Sequence, residues 1–410
     1  MTDRSSRASL PFHYGWVIVA TGSLVLFSCL GLARYAYTML LPGMQESLGF
    51  SYDRMGYIGT ANFVGYLASV VAAPSLIKRF RPRVTIVTGL ILIGFCMLGI
   101  SRVDGFIPLA CLYTLVGMGG GLANIPTMAL VTWWFRSEQR GRAAGLVIGG
   151  NGAAIICAGF VIPLLNRIYG VDGWRHGWLL LGTVSLLVAM IAGLLLRNHP
   201  SELGLEPVGR PQPLGQEQLV PRETSGDGAI LFRLGLLYLV FGATFMVYGT
   251  FIVTTMVKEY GFSDARAGFY WSWVGFFSLF SGVAFGSLSD RIGRKGGIAL
   301  VFAVQTVAYL LAGLRLGEPG LVVSIILYGF AVFAIPAIMA AAIADYLGLH
   351  RAATAFATVT IFFAAGQTLG PAGAGMLSRL GGGFSLAYSV AALLTLTASL
   401  FALTLPRPQR

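Results

Sequence analysis

The sequence carries very little charge. Asp, Glu, Lys and Arg together make up 11% of its 410 residues, against about 25% in average soluble domains. A soluble fold of this length could not cover its surface with so few polar groups, so a soluble enzyme and a disordered chain are both excluded. Cysteine is sparse too. Cys29, Cys96, Cys111 and Cys157 sit singly inside apolar runs, with no CxxC spacing and no clustered histidine. They read as small buried hydrophobes, which excludes a disulfide scaffold and leaves no metal expected. Nothing resembles a nucleotide-binding loop or a nucleophile with its base, so neither a cofactor nor enzymatic chemistry is expected. Long polar stretches are missing as well. The longest, 197–231, is rich in Pro, Gly, Glu and Gln and is too short to form a soluble signalling domain.

What the sequence has is apolar length. Hydrophobic residues make up 56% of the chain and the mean hydropathy is +0.76. A bilayer crossing takes about 20 mostly apolar residues. Twelve runs qualify: 14–41, 54–77, 84–101, 106–134, 142–166, 175–196, 232–257, 267–289, 296–315, 320–346, 352–377 and 384–405. The first lacks a small-residue cleavage site and is expected to remain as a span rather than leave as a signal peptide. The expected fold is an all-α membrane protein, with twelve transmembrane helices in two six-helix bundles. These are 1–196 and 232–410, joined by a cytoplasmic linker over 197–231.

The net charge of +12 would suggest nucleic acid in a soluble protein, but a bilayer sorts basic residues by side. With the N-terminus in the cytoplasm, nineteen Lys and Arg fall on the cytoplasmic side and eight on the other. The charge is then a topology signal. It predicts a multi-pass protein of the cell (inner) membrane with both termini cytoplasmic, a lipid bilayer as its surroundings and no nucleic-acid partner. One of the 28 basic residues, Arg34, belongs to neither side.

The halves repeat one another. GFSYDRMGY (49–57) aligns with GFSDARAGF (261–269) at an offset of 212, and PSLIKRFRPR (74–83) falls on GSLSDRIGRK (286–295) at the same offset. Arg142-Ala-Ala-Gly falls on Arg351-Ala-Ala-Thr at an offset of 209. Such 6+6 repeats build transporters whose halves rock around a midplane site.

The stretch GSLSDRIGRKGG (286–297) resembles the second-half copy of the signature of the major facilitator superfamily. The resemblance implies a gating role for Gly286, Asp290, Arg291, Arg294 and Lys295. Gly286 would permit close helix approach, and Asp290 would sit near a helix N-terminus, where the dipole favours a carboxylate. The first-half copy departs, with Lys78 in the acidic position and Arg81-Pro82 replacing Gly-Arg. His13-Tyr14-Gly15-Trp16 and HPSELGLEPVG (199–209) resemble the monocarboxylate and oxalate/formate branch. GLARYAYTMLLPGM (31–44) resembles the YbfB/YjiJ-like bacterial carriers. The charged pair frequent in the eighth span of monocarboxylate carriers is missing from 267–289. GQTLGPAGAG (366–375) is partly similar to an antiporter glycine–proline motif and predicts a kink at Pro371.

Arg34 carries most of the functional expectation. It lies about seven residues, or roughly 10 Å, inside the first span. Burying an arginine there costs about 2.5–3.5 kcal/mol on insertion scales. No Asp or Glu sits at its depth in any span. Three readings compete: the side chain snorkels to the interface, it bonds to backbone carbonyls, or it receives an anionic substrate through a bidentate pair. Tyr37, Asn62, Tyr66, Tyr248, Tyr328 and Gln367 fall at similar depth, Thr38 shares the Arg34 face, and Asn124 and Asn151 lie deeper. A polar layer around one cation is a plausible substrate site. The expected function is secondary transport of a small organic anion, a monocarboxylate, coupled to protons or by anion exchange. The alternative is an efflux antiporter for drugs or metabolites. The chain is expected to act as a monomer. Runs of glycine in spans 4 (117–121) and 5 (145–152) are expected to allow close helix packing.

Overall fold

The computed structural model describes residues 12–209 and 227–406, which are almost entirely helical. Arg4, Arg7, Arg210, Arg222, Arg407 and Arg410, which enter the charge count, lie outside the described residues. Ten helical runs are long and apolar enough to cross a membrane. Two of them are too long for one crossing: Tyr52–Ile100 has 49 residues and Glu138–Leu195 has 58, where about 20 suffice. Each contains a break. In the first, Arg81 leaves helical geometry at φ 65 and ψ 156, just before Pro82. In the second, a 3-10 turn over Gly170–Asp172 separates Ser137–Tyr169 from Gly173–Leu195. Both breaks fall between apolar runs that the sequence reads as separate spans, 54–77 and 84–101 in the first and 142–166 and 175–196 in the second. The tenth span is itself interrupted, between Gly317–Ala331 and Ala334–Leu347.

The repeat has a local physical basis. Gly49 and Gly261 both take left-handed backbone, at φ 63 and φ 66, which glycine adopts without steric cost and which ends a helix. Ser51 and Ser263 then precede the next helix with extended backbone (ψ 159 and ψ 153). The Ser263 hydroxyl accepts the Arg266 N–H at 3.3 Å, an N-cap. The third match is more telling. Arg81 aligns with Gly293, and the two share one conformation: φ 65, ψ 156 against φ 85, ψ 155. That region is essentially glycine-only and costs another residue on the order of 1–3 kcal/mol. The first half keeps the turn and has lost its glycine.

Helices meet through backbone contact rather than charge, as expected where lipid removes the hydrophobic drive between helices. Spans 2 and 4 touch at Gly65 and Gly117, where an added Cβ would stand 1.8 Å from the carbonyl oxygens of Thr114 and Asn62. Spans 5 and 8 join the halves in the same way at Gly159 and Gly268, with distances of 2.4 and 2.0 Å. Among the glycines of spans 4 and 5, Gly119, Gly121, Gly150 and Gly152 also sit in tight contacts, whereas Gly145 faces open space. Cys29 and Cys96 are buried as expected, but Cys157 is only half-buried and Cys111 is exposed.

The segment 197–231 does not hang free along its described part. Glu206 pairs with Arg136 at 2.8 Å, its carbonyl oxygen lies 3.0 Å from His13 Nε2, and His199 stacks on Trp133 at 4.5 Å. The stretches 13–16 and 199–209, which carry the same branch resemblance, therefore meet at one end of the first bundle. Helix resumes at Asp227, five residues before the sequence places it.

Candidate functional site

Arg34 sits near the end of a nine-residue π-helical stretch, Phe27–Tyr35, inside the first span. A π-turn bonds i to i+5 and recurs at functional sites. Its neighbours fix this one. Gly31 lies so close to Ala154 that a Cβ would stand 2.2 Å from that residue's Cβ. The Ala33 carbonyl accepts the Tyr113 hydroxyl at 3.1 Å. The Arg34 side chain then turns inward and is 9% exposed.

Its guanidinium lies between two aromatic rings, 4.6 Å from the centroid of Phe63 and 4.6 Å from that of Tyr66. No carboxylate among the described residues pairs with it, and its Nε has no hydrogen-bond partner. Of the three readings of Arg34, snorkelling is thus not the one the structure adopts. A cation–π contact contributes about 0.5–2 kcal/mol. Two of them offset part of the roughly 2.5–3.5 kcal/mol cost of burial. They do so without using the in-plane N–H donors, which stay available to an anion.

The polar residues nearest in sequence gather around this cation. Tyr66 accepts a hydrogen bond from Asn124 Nδ2 at 3.0 Å. Asn62 Nδ2 donates to the Tyr113 carbonyl at 3.3 Å. Tyr37 donates to the Met55 carbonyl at 2.8 Å and packs on the Tyr113 ring. Thr38 reaches the other half and donates to the Gly249 carbonyl. Between them lies a narrow space of about 10 Å³. It is lined by Arg34, Tyr35, Tyr37, Thr38, Gly59, Asn62, Phe63 and Tyr113 from the first half, with Met246, Gly249 and Thr250 from the second. Tyr35, Gly59, Phe63, Tyr113, Met246, Gly249 and Thr250 are not singled out by the sequence. Phe63 and Met246 look like ordinary core residues in the sequence, and only their apposition to a buried cation distinguishes them.

Tyr66 and Asn124 flank the guanidinium without lining that space, and three further expected members do not line it either. The Tyr248 hydroxyl pairs with Ser324 at 2.8 Å, and Tyr328 donates to the Phe245 carbonyl at 2.9 Å. Their rings stack at 4.2 Å inside the second bundle. Both are satisfied within the core of their own half and do not line the Arg34 space. Gln367 is 1% exposed. It does not line that space either, and its Oε1 has no partner. Asn151 is likewise buried with an unpartnered Oδ1.

At the end bearing the basic turns, Arg294 bridges Asp290 at 2.5 Å and Asp345 at 2.5 Å. Arg294 opens the ninth helix, but Asp290 itself lies in the last turn of the preceding helix, Asp264–Ile292, and meets the ninth helix through the Arg294 side chain rather than through its backbone amides. Arg291 is exposed and Lys295 half-buried on the same turn. Gly286 differs from expectation: a Cβ there would meet nothing within 4 Å, so it permits no close approach in this conformation. The first-half copy is held otherwise. Arg83 Nε donates to the Gly193 carbonyl at 3.0 Å, and its amide donates to Asn198 at 3.0 Å. At the opposite end, polar pairs cross between the halves. These are Lys258–Glu46 at 2.6 Å, Arg379–Asp53 at 3.4 Å and Asn166–Asp264 at 2.7 Å.

Known proteins bear on the same features. The chain is 23% identical to the oxalate:formate antiporter of Oxalobacter formigenes over 303 residues, covering 72% of this chain and 68% of that one. It is 22% identical to monocarboxylate transporter 2 of Homo sapiens over 416 residues, covering 95% and 85%. A crystal structure of a D-xylose-proton symporter superposes with a TM-score of 0.75 over 97% of this chain and 99% of that one, at 17% identity. That likeness shows the fold. Residues 26–403 match the family described as "Uncharacterised MFS-type transporter YbfB", and the chain belongs to that family: it is a major facilitator superfamily transporter and not an enzyme.

Proposed function

We propose that this protein is a secondary carrier of a small organic anion, a monocarboxylate, and that Arg34 receives the carboxylate. The observation that carries this reading is a buried guanidinium held by two rings, with an Nε lacking a partner, at a point lined by both halves. A planar fork of N–H donors matches a carboxylate in two hydrogen bonds. The relatives named for oxalate, formate and monocarboxylates support the same class. Tyr37, Asn62, Tyr66 and Asn124 surround the bound anion. Tyr248, Tyr328 and Gln367 act from the second bundle, by holding the wall against which the site closes.

The halves 1–196 and 232–410 rock about this point. The end with the basic turns faces the cytoplasm, as do both termini, in the inner membrane, and one chain is the working unit. The Asp290–Arg294–Asp345 cluster braces one state. Coupling is proton-linked symport. No Asp or Glu lies deep in the spans, so the proton crosses on the substrate rather than on the protein.

Uptake of labelled formate, oxalate and lactate into proteoliposomes tests this. Wild-type protein transports at least one of them, Arg34→Lys transports poorly and Arg34→Ala not at all. Wild-type rates from both variants would refute the anion site. An imposed pH gradient driving uptake supports symport. Uptake that instead needs an anion on the far side replaces symport with exchange.

A further inference from the structure

We propose that Thr60 is a latch between the halves, and that its hydroxyl must withdraw from the eleventh span before the end opposite the basic turns can open. The motif 366–375 supplies the socket. Pro371 lies inside the helix Leu349–Gly381. Proline has no N–H and its ring crowds the carbonyl four residues back, so the hydrogen-bond ladder opens there. In an unbroken helix the Ala372 N–H and the Thr368 carbonyl bond to each other. Here the Thr60 hydroxyl, from the second span, joins that same pair. It accepts from the Ala372 N–H at 3.1 Å and donates to the Thr368 carbonyl at 2.8 Å. A side chain of one half is inserted in the backbone of the other.

The surroundings hold it there. A Cβ at Gly56 would stand 2.4 Å from the Pro371 carbonyl oxygen, and one at Gly375 would stand 2.7 Å from that of Tyr52. The two backbones therefore touch at two successive turns on the N-terminal side of Thr60. Toward the end of the bundle, Arg379 pairs with Asp53 at 3.4 Å and the Tyr52 and Phe384 rings meet at 4.9 Å. The ion pair joins spans 2 and 11 and the ring pair joins span 2 to the start of span 12, so parting the halves at this end breaks them together with the threonine bonds. The surface ion pair is easily replaced by water. The threonine bonds are harder to replace, because they lie part-buried where the two backbones touch. Latch and gate are then one two-state element.

The test measures the distance between spin labels on the full chain in nanodiscs. Labels sit on Ser51→Cys and Leu380→Cys, in a background with the four native cysteines replaced. Thr60→Val keeps the shape and removes both bonds. It should raise the open-to-closed ratio at this end roughly three- to tenfold, the worth of one to two buried interhelical hydrogen bonds. Thr60→Ala should do the same, and Thr60→Ser should retain the native distribution. Unchanged distances in Thr60→Val and Thr60→Ala overturn the proposal. So does a Thr60→Ser variant that opens like Thr60→Val. None of these readouts involves Arg34 or a substrate, so they stand apart from the transport reading.

Discussion

Removing either ring that holds Arg34 should weaken anion binding by a calculable amount. Phe63→Leu keeps apolar volume and removes one of the two rings, whose centroid lies 4.6 Å from the guanidinium carbon. A cation–π contact at a desolvated site is worth about 0.5–2 kcal/mol. If the ring serves to aim the guanidinium, that energy appears in substrate affinity, as a rise in apparent KM of roughly two- to thirtyfold. Tyr66→Phe keeps its ring and loses only the hydrogen bond from Asn124. An interhelical hydrogen bond averages about 0.6 kcal/mol, so the expected rise is about threefold. Tyr66→Leu loses both. The order of damage is therefore Tyr66→Leu, then Phe63→Leu, then Tyr66→Phe. Concentration-dependent uptake into proteoliposomes measures it, with thermal unfolding of each variant separating loss of fold from loss of affinity. The reasoning fails if Phe63→Leu and Tyr66→Leu both leave KM within a factor of two while Arg34→Ala abolishes transport. Arg34 would then act without help from the rings.

Two further perturbations address the frame around the site. Arg81→Gly restores the residue that the turn's backbone calls for, and should stabilise the folded protein by about 1 kcal/mol or more. A higher Tm in detergent than the parent's is the expected result, and a lower one would mean that the arginine side chain compensates for its own strain. Gly117→Ala drives a methyl group into the Asn62 carbonyl and should cost about 1–3 kcal/mol of overpacking. It should also cut transport, because Asn62 lines the Arg34 space. Full activity with unchanged Tm would show that spans 2 and 4 can part at little cost.

Much of the fold was legible because a bilayer turns composition into architecture. Twelve apolar runs, a repeat at an offset of 212 and an asymmetric spread of basic residues needed no coordinates. Boundaries were harder to read where the chain stays helical through its turn, as around Arg81. The resemblance at 199–209 gave no hint that this stretch docks on 13–16 and the turn at Arg136, since those contacts join residues far apart in sequence. The site was half legible. Arg34, Tyr37 and Asn62 line one narrow space, with Tyr66 against the guanidinium and Asn124 bonded to Tyr66. Tyr248 and Tyr328 do not, because depth in a span says nothing about which side of the helix a ring occupies. Their hydroxyls find Ser324 and the Phe245 carbonyl instead.

The sequence by itself determined that this is an all-helical, multi-pass membrane transporter, and that one arginine lies where charge is expensive. Those conclusions rest on transfer free energies and helix length, which belong to residues one at a time. Tertiary structure alone decided what meets that arginine, and which threonine is inserted in which helix. Such contacts depend on the rotation and tilt of one helix against another, which close backbone packing sets at positions such as Gly31, Gly56 and Gly117 and which no single span contains.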